Sequence, residues 1–243
     1  MTDKILILDI ETSPYIVYTW GMYQQDIGLN QIINERTIMA AAFKWLGKPK
    51  VGYWDTSKQQ NHRDDKALVR NLVSAIDMAD IVIGQNSDEF DLRVIASRAI
   101  MHGLNPPSPV VSIDTKKMAK QVAMFTSNRL EWLSKHLTDA PKSEHAEFPG
   151  FELWKECLDG NPRAWAAMRK YNIQDVLATE KLYLRLRPWV KRHPHVLGAK
   201  STACPRCAGV SLERRGTDLQ GRQRYRCGTC GGWSSALRSG SLR

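Results

Sequence analysis

Four cysteines arranged as Cys204-Pro-Arg-Cys207 and Cys227-Gly-Thr-Cys230, with 19 residues between the pairs, constrain this chain more tightly than any other feature of its sequence. Two CxxC pairs at that interval are spaced like two knuckles folding around one tetrahedral zinc ion. Glycines at 209, 228, 231 and 232 suit tight knuckle turns. A module of about 40 residues is too small to be stable without such a staple. In an intracellular chain this layout points to metal rather than disulfides. The fifth cysteine, Cys157, stands alone and reads as an inert packed thiol.

The remaining length suits one large domain, and 42% hydrophobic with 25% charged residues is ordinary for a globular protein. No apolar run approaches the roughly 20 residues of a membrane span. The apolar run Ile5 to Leu8 has only four residues and ends in Asp9, so it reads as a buried strand rather than a leader, and the expected location is cytoplasmic. The net charge of +10 is uneven. Residues 199–243 carry nine Lys/Arg against Glu213 and Asp218, a net +7, leaving +3 for residues 1–198 from 26 basic and 23 acidic side chains. A tail so basic suits a polyanionic partner, because neutralising phosphates releases counterions, although a merely solvated tail has the same composition.

Strands are expected at Lys4–Asp9, Thr37–Trp45 and Val51–Trp54, with an antiparallel start. Helical spacing follows at Ala67–Met78, where Leu68, Leu72, Val73 and Ile76 form one stripe, and a short strand at Ile81–Ile83 comes next. Further helices are expected at Glu89–His102, stopped by Gly103, at Arg129–Leu137 and from Pro162 onward. Asn128 with Glu131 has capping-box spacing, and Asn161-Pro162 supplies an N-cap and a first-turn proline. The pattern predicts an α/β fold, a mixed sheet flanked by helices, with the ribbon appended. Arg185 to His195 reads as an extended basic connector, with His193 and His195 as linker residues. The expected domains are 1–195 and 196–243.

Asp9 and Glu11 alternate along the first strand, so both carboxylates face one way. Taken alone they fit a solvated strand end equally well. Asp91 falls in the first turn of a helix after the strand and turn Ile81 to Asn86, where the helix dipole alone would justify an acid. Tyr171 and Asp175 lie four residues apart on one helical face, where Tyr171 could also be core packing.

In order, spacing and flanking residues these motifs resemble the DEDD (DnaQ-like) 3'-5' exonuclease superfamily over roughly residues 4–187. Asp9 and Glu11 match its DxE motif. Asn86, Phe90 and Asp91 match Asn-x-x-x-Phe-Asp in a form similar to the proofreading domains of family B DNA polymerases. Tyr171 and Asp175 match the tyrosine form of the third motif, the histidine form needing His at position 170, which is Lys170. The resemblance implies a ribonuclease-H-like fold and a two-metal phosphodiester hydrolase using two Mg2+ or Mn2+, hard ions suited to oxygen ligands. It implies that Asp9, Glu11 and Asp175 hold one ion, that Asp9 with Asp91 holds the other, and that Tyr171 orients the attacking water. It also implies that the Thr12 backbone binds a terminal nucleotide.

Asn86 either touches the substrate backbone or caps the following helix. Tyr15, Tyr18, Trp20 and Tyr23 pack either on an entering 3' nucleotide or within the protein. Around the second knuckle Arg222, Arg224 and Tyr225, with Trp233, resemble zinc ribbons beside transposase domains, which implies nucleic-acid contact. A ribbon that docks on protein is the other reading. The expected partner is nucleic acid, DNA favoured over RNA, with replication or repair proteins as further candidates and no membrane. An RNA-directed or structure-selective nuclease with the same acids is the alternative among enzymes. A binding protein with a catalytically dead larger domain is the alternative of another class.

Overall fold

The computed structural model describes residues 4–140, 147–191, 193–194, 202–236 and 242. In chain order the elements begin with β1 (Ile5–Thr12), β2 (Ile16–Val17), β3 (Ile32–Asn34), β4 (Ile38–Trp45) and β5 (Val51–Asp55). Helix α1 (Lys66–Asp77), β6 (Ile81–Gly84), α2 (Asp91–Met101), β7 (Val111–Asp114), α3 (Thr115–Val122), α4 (Leu130–Leu137), α5 (Glu152–Leu158) and α6 (Pro162–Leu186) follow. The last strands are β8 (Leu212–Thr217), β9 (Gln223–Cys227) and β10 (Trp233–Ser235).

The main sheet runs β5-β4-β1-β6-β7, antiparallel through β5, β4 and β1 and parallel through β1, β6 and β7. The mixed sheet and its antiparallel start are therefore as the sequence indicates. Central strand β1 is buried on both faces, and period-two alternation divides its side chains. Ile5 and Ile7 pack with Val176 and Leu182 of α6, whereas Leu6, Leu8 and Ile10 pack with Leu68 and Leu72 of α1 and Ile95 of α2. Each such side chain contributes about 1.5–3 kcal/mol on burial. A third cluster joins Met39 and Ala40 of β4 to Leu153 of α5 and Trp165 and Met168 of α6. Among the described residues, no helix is long and apolar enough to cross a membrane.

Side-chain caps mark the starts of α3 and α6. The Asn161 side chain accepts from the Arg163 N–H, and Pro162 occupies the first turn of α6. Gly103, at φ 68°, takes the left-handed conformation that stops α2. The Asn128–Glu131 capping box does not form: Arg129 is the N-cap of α4, and no side chain bonds there. α2 begins at Asp91 rather than Glu89, because Phe90 has non-helical angles.

The connector also differs from expectation. Leu186 ends α6, Arg187–Trp189 form a 3-10 turn, and Val190 is buried in the main core. His193 is not a basic linker residue. Its Nε2 lies 3.1 Å from the Tyr183 hydroxyl, and burial pushes its pKa down to about 4, so the ring is neutral. His195 and the expected boundary at 195/196 lie outside the described residues. Beyond them, β8, β9 and β10 form an antiparallel sheet. Arg206, between the first two knuckle cysteines, joins the two parts by donating to the carbonyl oxygens of Val190 (3.1 Å) and Trp233.

Candidate active site

The alternation that aims Ile5 and Ile7 at α6 aims Asp9 and Glu11 the same way, and α6 answers with Asp175. One carboxylate oxygen from each of Asp9, Glu11 and Asp175 lies within 4.8 Å of the others. Asp175 is buried, whereas Asp9 and Glu11 are half-buried. An all-oxygen donor set this close suits a hard divalent cation, which would offset the repulsion among the three charges.

Asp91 reaches the site from the opposite face of the sheet. The β1–β6 ladder ends at Ile7↔Ile83, so the edge of β1 is open beyond that point. Asp91 Oδ1 fills the gap by accepting the Ile10 N–H at 3.1 Å, between the two acids of β1. It therefore stands beside the group of three rather than within it. Burial, with a further push from the charge of Asp114, raises the Asp91 carboxyl well above the usual range, although the Ile10 N–H pulls it down. The chain can turn off β6 here because Gly84 has no side chain: a Cβ would lie 2.5 Å from that of Ser87 and 3.3 Å from the Leu8 carbonyl oxygen.

Two polar residues that the sequence reading passed over hold this arrangement. Asn172 is fully buried, and its Nδ2 donates to Asp9 Oδ2 at 2.6 Å and to the Asp9 carbonyl oxygen at 3.2 Å. Its signal was faint, an amide three residues before Asp175 on the same helix. Asp114 Oδ1 caps α3 through the Lys116 and Lys117 N–H groups and accepts the Asn86 N–H at 2.9 Å. Asn86 sits at φ 63°, with its side-chain oxygen taken by Lys116 Nζ at 3.0 Å. It does not cap α2, whose N-cap is Phe90.

Tyr171 is half-buried on α6, and its ring meets Trp154 edge-on at 6.0 Å. A register shift falls between Glu11, which faces Ala40, and Thr12, which faces Ile38 at the end of β1. Thr12 lines a cleft of about 390 Å³ with Ser13, Pro14, Arg36, Phe151 and Trp154. Tyr18, Trp20 and Tyr23 are 74%, 100% and 81% exposed, which removes the reading of core packing for them.

In the ribbon one Sγ from each of Cys204, Cys207, Cys227 and Cys230 lies within 4.8 Å of the others, with 204–230 at 3.8 Å and 207–227 at 3.7 Å. A tetrahedral zinc with bonds of about 2.3 Å has edges of about 3.8 Å, so the thiols fit that ion. Cys157 lies apart, buried, with its thiol pushed up to about 12 chiefly by burial, as an inert packed thiol should be. Around the ribbon, Arg222 is held by Asp218 at 2.7 Å. Arg224 lies 5.7 Å from the Trp233 ring, and Tyr225 points to the other face of β9 because alternate residues oppose.

Residues 28–187, about two thirds of the chain, match the model of the RNase H superfamily. The chain belongs to the RNase H superfamily. The strand order, with an antiparallel start and two parallel strands added beside β1, is the ribonuclease-H-like sheet. The family B DNA polymerase from the hyperthermophilic archaeon Pyrobaculum calidifontis has a similar fold, with a TM-score of 0.55 and 14% identity over 78% of this chain and 26% of that one. This RNase H superfamily member therefore spans about a quarter of that polymerase. No curated protein matches its sequence.

Proposed function

We propose that this protein is a metal-dependent 3'-5' exonuclease of the tyrosine DEDD class, acting on single-stranded DNA or DNA 3' ends. The observation that carries the reading is the approach of Asp9, Glu11 and Asp175 to within 4.8 Å on an RNase H superfamily sheet. Asp9, Glu11 and Asp175 would hold one Mg2+ or Mn2+, and Asp9 with Asp91 the second. Bound there, such ions supply an activated water and neutralise charge on the leaving oxygen. Asn172 would orient the carboxylate of Asp9 through the hydrogen bond to its Oδ2. The Tyr171 hydroxyl would orient the attacking water, steadied by the edge of Trp154. Thr12 would receive the terminal nucleotide through its backbone, and Asn86 the strand behind it.

The domains of this reading are 1–195, the nuclease, and 196–243, a ribbon around one structural Zn2+. In the ribbon Arg224, with Trp233 beneath it, is the better-placed nucleic-acid contact. Arg222 and Tyr225 would contribute at the rim. DNA is favoured over RNA because the similar fold belongs to a DNA polymerase. Work in replication or repair follows from that substrate.

The test is a digestion of oligonucleotides labelled at either end, in DNA and RNA form, with Mg2+ or Mn2+. A ladder shortening from the 3' end of 5'-labelled DNA, with the label of 3'-labelled DNA released first as mononucleotide, is expected. Internal cuts would overturn the polarity, and preferential loss of RNA would overturn the substrate.

A further inference from the structure

Arg36 stands just before β4 and lines the cleft that opens beside Thr12 and Trp154. Its guanidinium lies 5.1 Å from the ring of Tyr15, on the segment after β1, and 5.6 Å from the ring of Phe90, the residue before Asp91. Two rings from separate segments thus hold the cation, one of them the residue before Asp91, in a cleft that begins at Thr12, next to Glu11 in sequence. Three other buried or half-buried arginines, Arg63, Arg98 and Arg206, donate to groups inside the protein. Arg63 bonds to Ser13 and to the carbonyls of Pro14 and Glu35, Arg98 to Asp65, and Arg206 to the carbonyls of Val190 and Trp233. Among the described residues, none accepts a hydrogen bond from the Arg36 guanidinium, and Arg36 is the only charged residue lining the cleft.

Three carboxylates attract cations but repel a phosphate chain, so a strand lying against them needs a cation beside them. An arginine suits the task because its planar fork meets two phosphate oxygens at once, and rings that stack on it fix the plane of the fork without using its donors. We propose that Arg36 is the phosphate clamp for the substrate strand, engaging the non-bridging oxygens of a backbone phosphate of the nucleic acid seated between Thr12 and Trp154. This rests on the nuclease reading. Phe151, 63% exposed, and Trp154 line the same cleft and offer faces to the bases of that strand.

The test compares wild type, Arg36→Met and Arg36→Lys as full chains. Steady-state hydrolysis of a fluorescein-labelled oligothymidylate is paired with metal-free binding of the same probe at several salt concentrations. For Arg36→Met, KM and the metal-free Kd are expected to rise roughly tenfold or more with a smaller change in kcat. The slope of log affinity against log salt is expected to lose about 0.7, one single-strand phosphate contact. Arg36→Lys should keep the slope but raise KM severalfold through loss of the bidentate fork. It also decides the matter if Arg36→Met melts much earlier than wild type. A variant pair with wild-type KM, Kd and salt slope overturns the clamp. If wild type leaves the probe intact with Mg2+ or Mn2+, the nuclease reading fails by itself, and the metal-free titration still decides Arg36: a weakened Kd supports it and an unchanged one overturns it.

Discussion

Asn172 Nδ2 lies 2.6 Å from Asp9 Oδ2 and 3.2 Å from the carbonyl oxygen of the same residue, so one buried amide fixes both the side chain and the backbone of the first acid. Such a residue acts through its neighbour. Replacing it with alanine frees the Asp9 carboxylate to rotate without changing the number of charges.

Asn172→Ala is therefore expected to reduce metal affinity or activity by about 10- to 100-fold, the usual effect of removing a partner that orients a metal ligand. Raising Mn2+ should recover part of the loss. Titration of activity against Mn2+, with a thermal melt as a folding control, checks this. Wild-type metal dependence would show that Asp9 needs no such support.

Asp65 is a fully buried carboxylate with a different part to play. Its oxygens accept from Arg98 Nε and Nη2, both at 2.7 Å, from the Ile38 N–H at 2.9 Å and from His102 Nε2 at 2.7 Å. Burial alone would raise its pKa, yet these hydrogen bonds outweigh burial and hold it below the usual carboxylate range. The carboxyl thus supports the fold above about pH 4 and loses that contribution as pH falls through its lowered pKa. Asp65→Asn leaves Arg98 buried without its charge partner and is expected to cost about 3–5 kcal/mol at neutral pH. Urea denaturation reads the difference, which should shrink in acid.

His193 gives a pH response of its own. Burial lowers its folded pKa from 6.5 to about 4, so the unfolded chain binds more protons between those values. Folding stability should fall as pH drops from about 6.5 towards 4, by about 1–3 kcal/mol attributable to this ring. His193→Phe removes the proton site, and its stability should change less over that window. Parallel slopes for the two proteins would count against the buried neutral ring.

The ribbon depends on its metal. One zinc per chain is expected by elemental analysis. A strong chelator should release it and unfold β8–β10 while the five-stranded sheet, with its own apolar clusters, persists. Hydrogen exchange after chelation checks this. Protection retained at Tyr225 and Arg226 would mean that the four thiols do not staple the module.

Much of the architecture was legible because it rests on local periodicity. The apolar run Ile5 to Leu8 followed by Asp9 and Glu11 marks the central strand and the direction of both acids, and Asn161-Pro162 marks the start of α6 within a residue. Segments with little burial signal were missed. β7 buries only Ile113 and Asp114, α3 is largely polar, and α5 is a single short helix. Asn172, Asp114 and Arg36 were invisible as site residues because their roles arise from segments far apart in sequence meeting in space. His193 was misread for the same reason: a ring in a proline- and arginine-rich stretch looks solvated until Tyr183 is seen to cover it.

On the proposed function, Asp9, Glu11 and Asp175 form a cation-dependent hydrolytic centre. The most direct measurement is hydrolysis of single-stranded DNA by wild type and by Asp175→Asn, with Mn2+, with Mg2+ and with excess chelator. Nucleotide release by wild type with either metal, none with chelator, and a loss of at least about 100-fold in the folded variant are expected. Release that is unchanged in Asp175→Asn, or that persists in chelator, would contradict the cation-dependent centre.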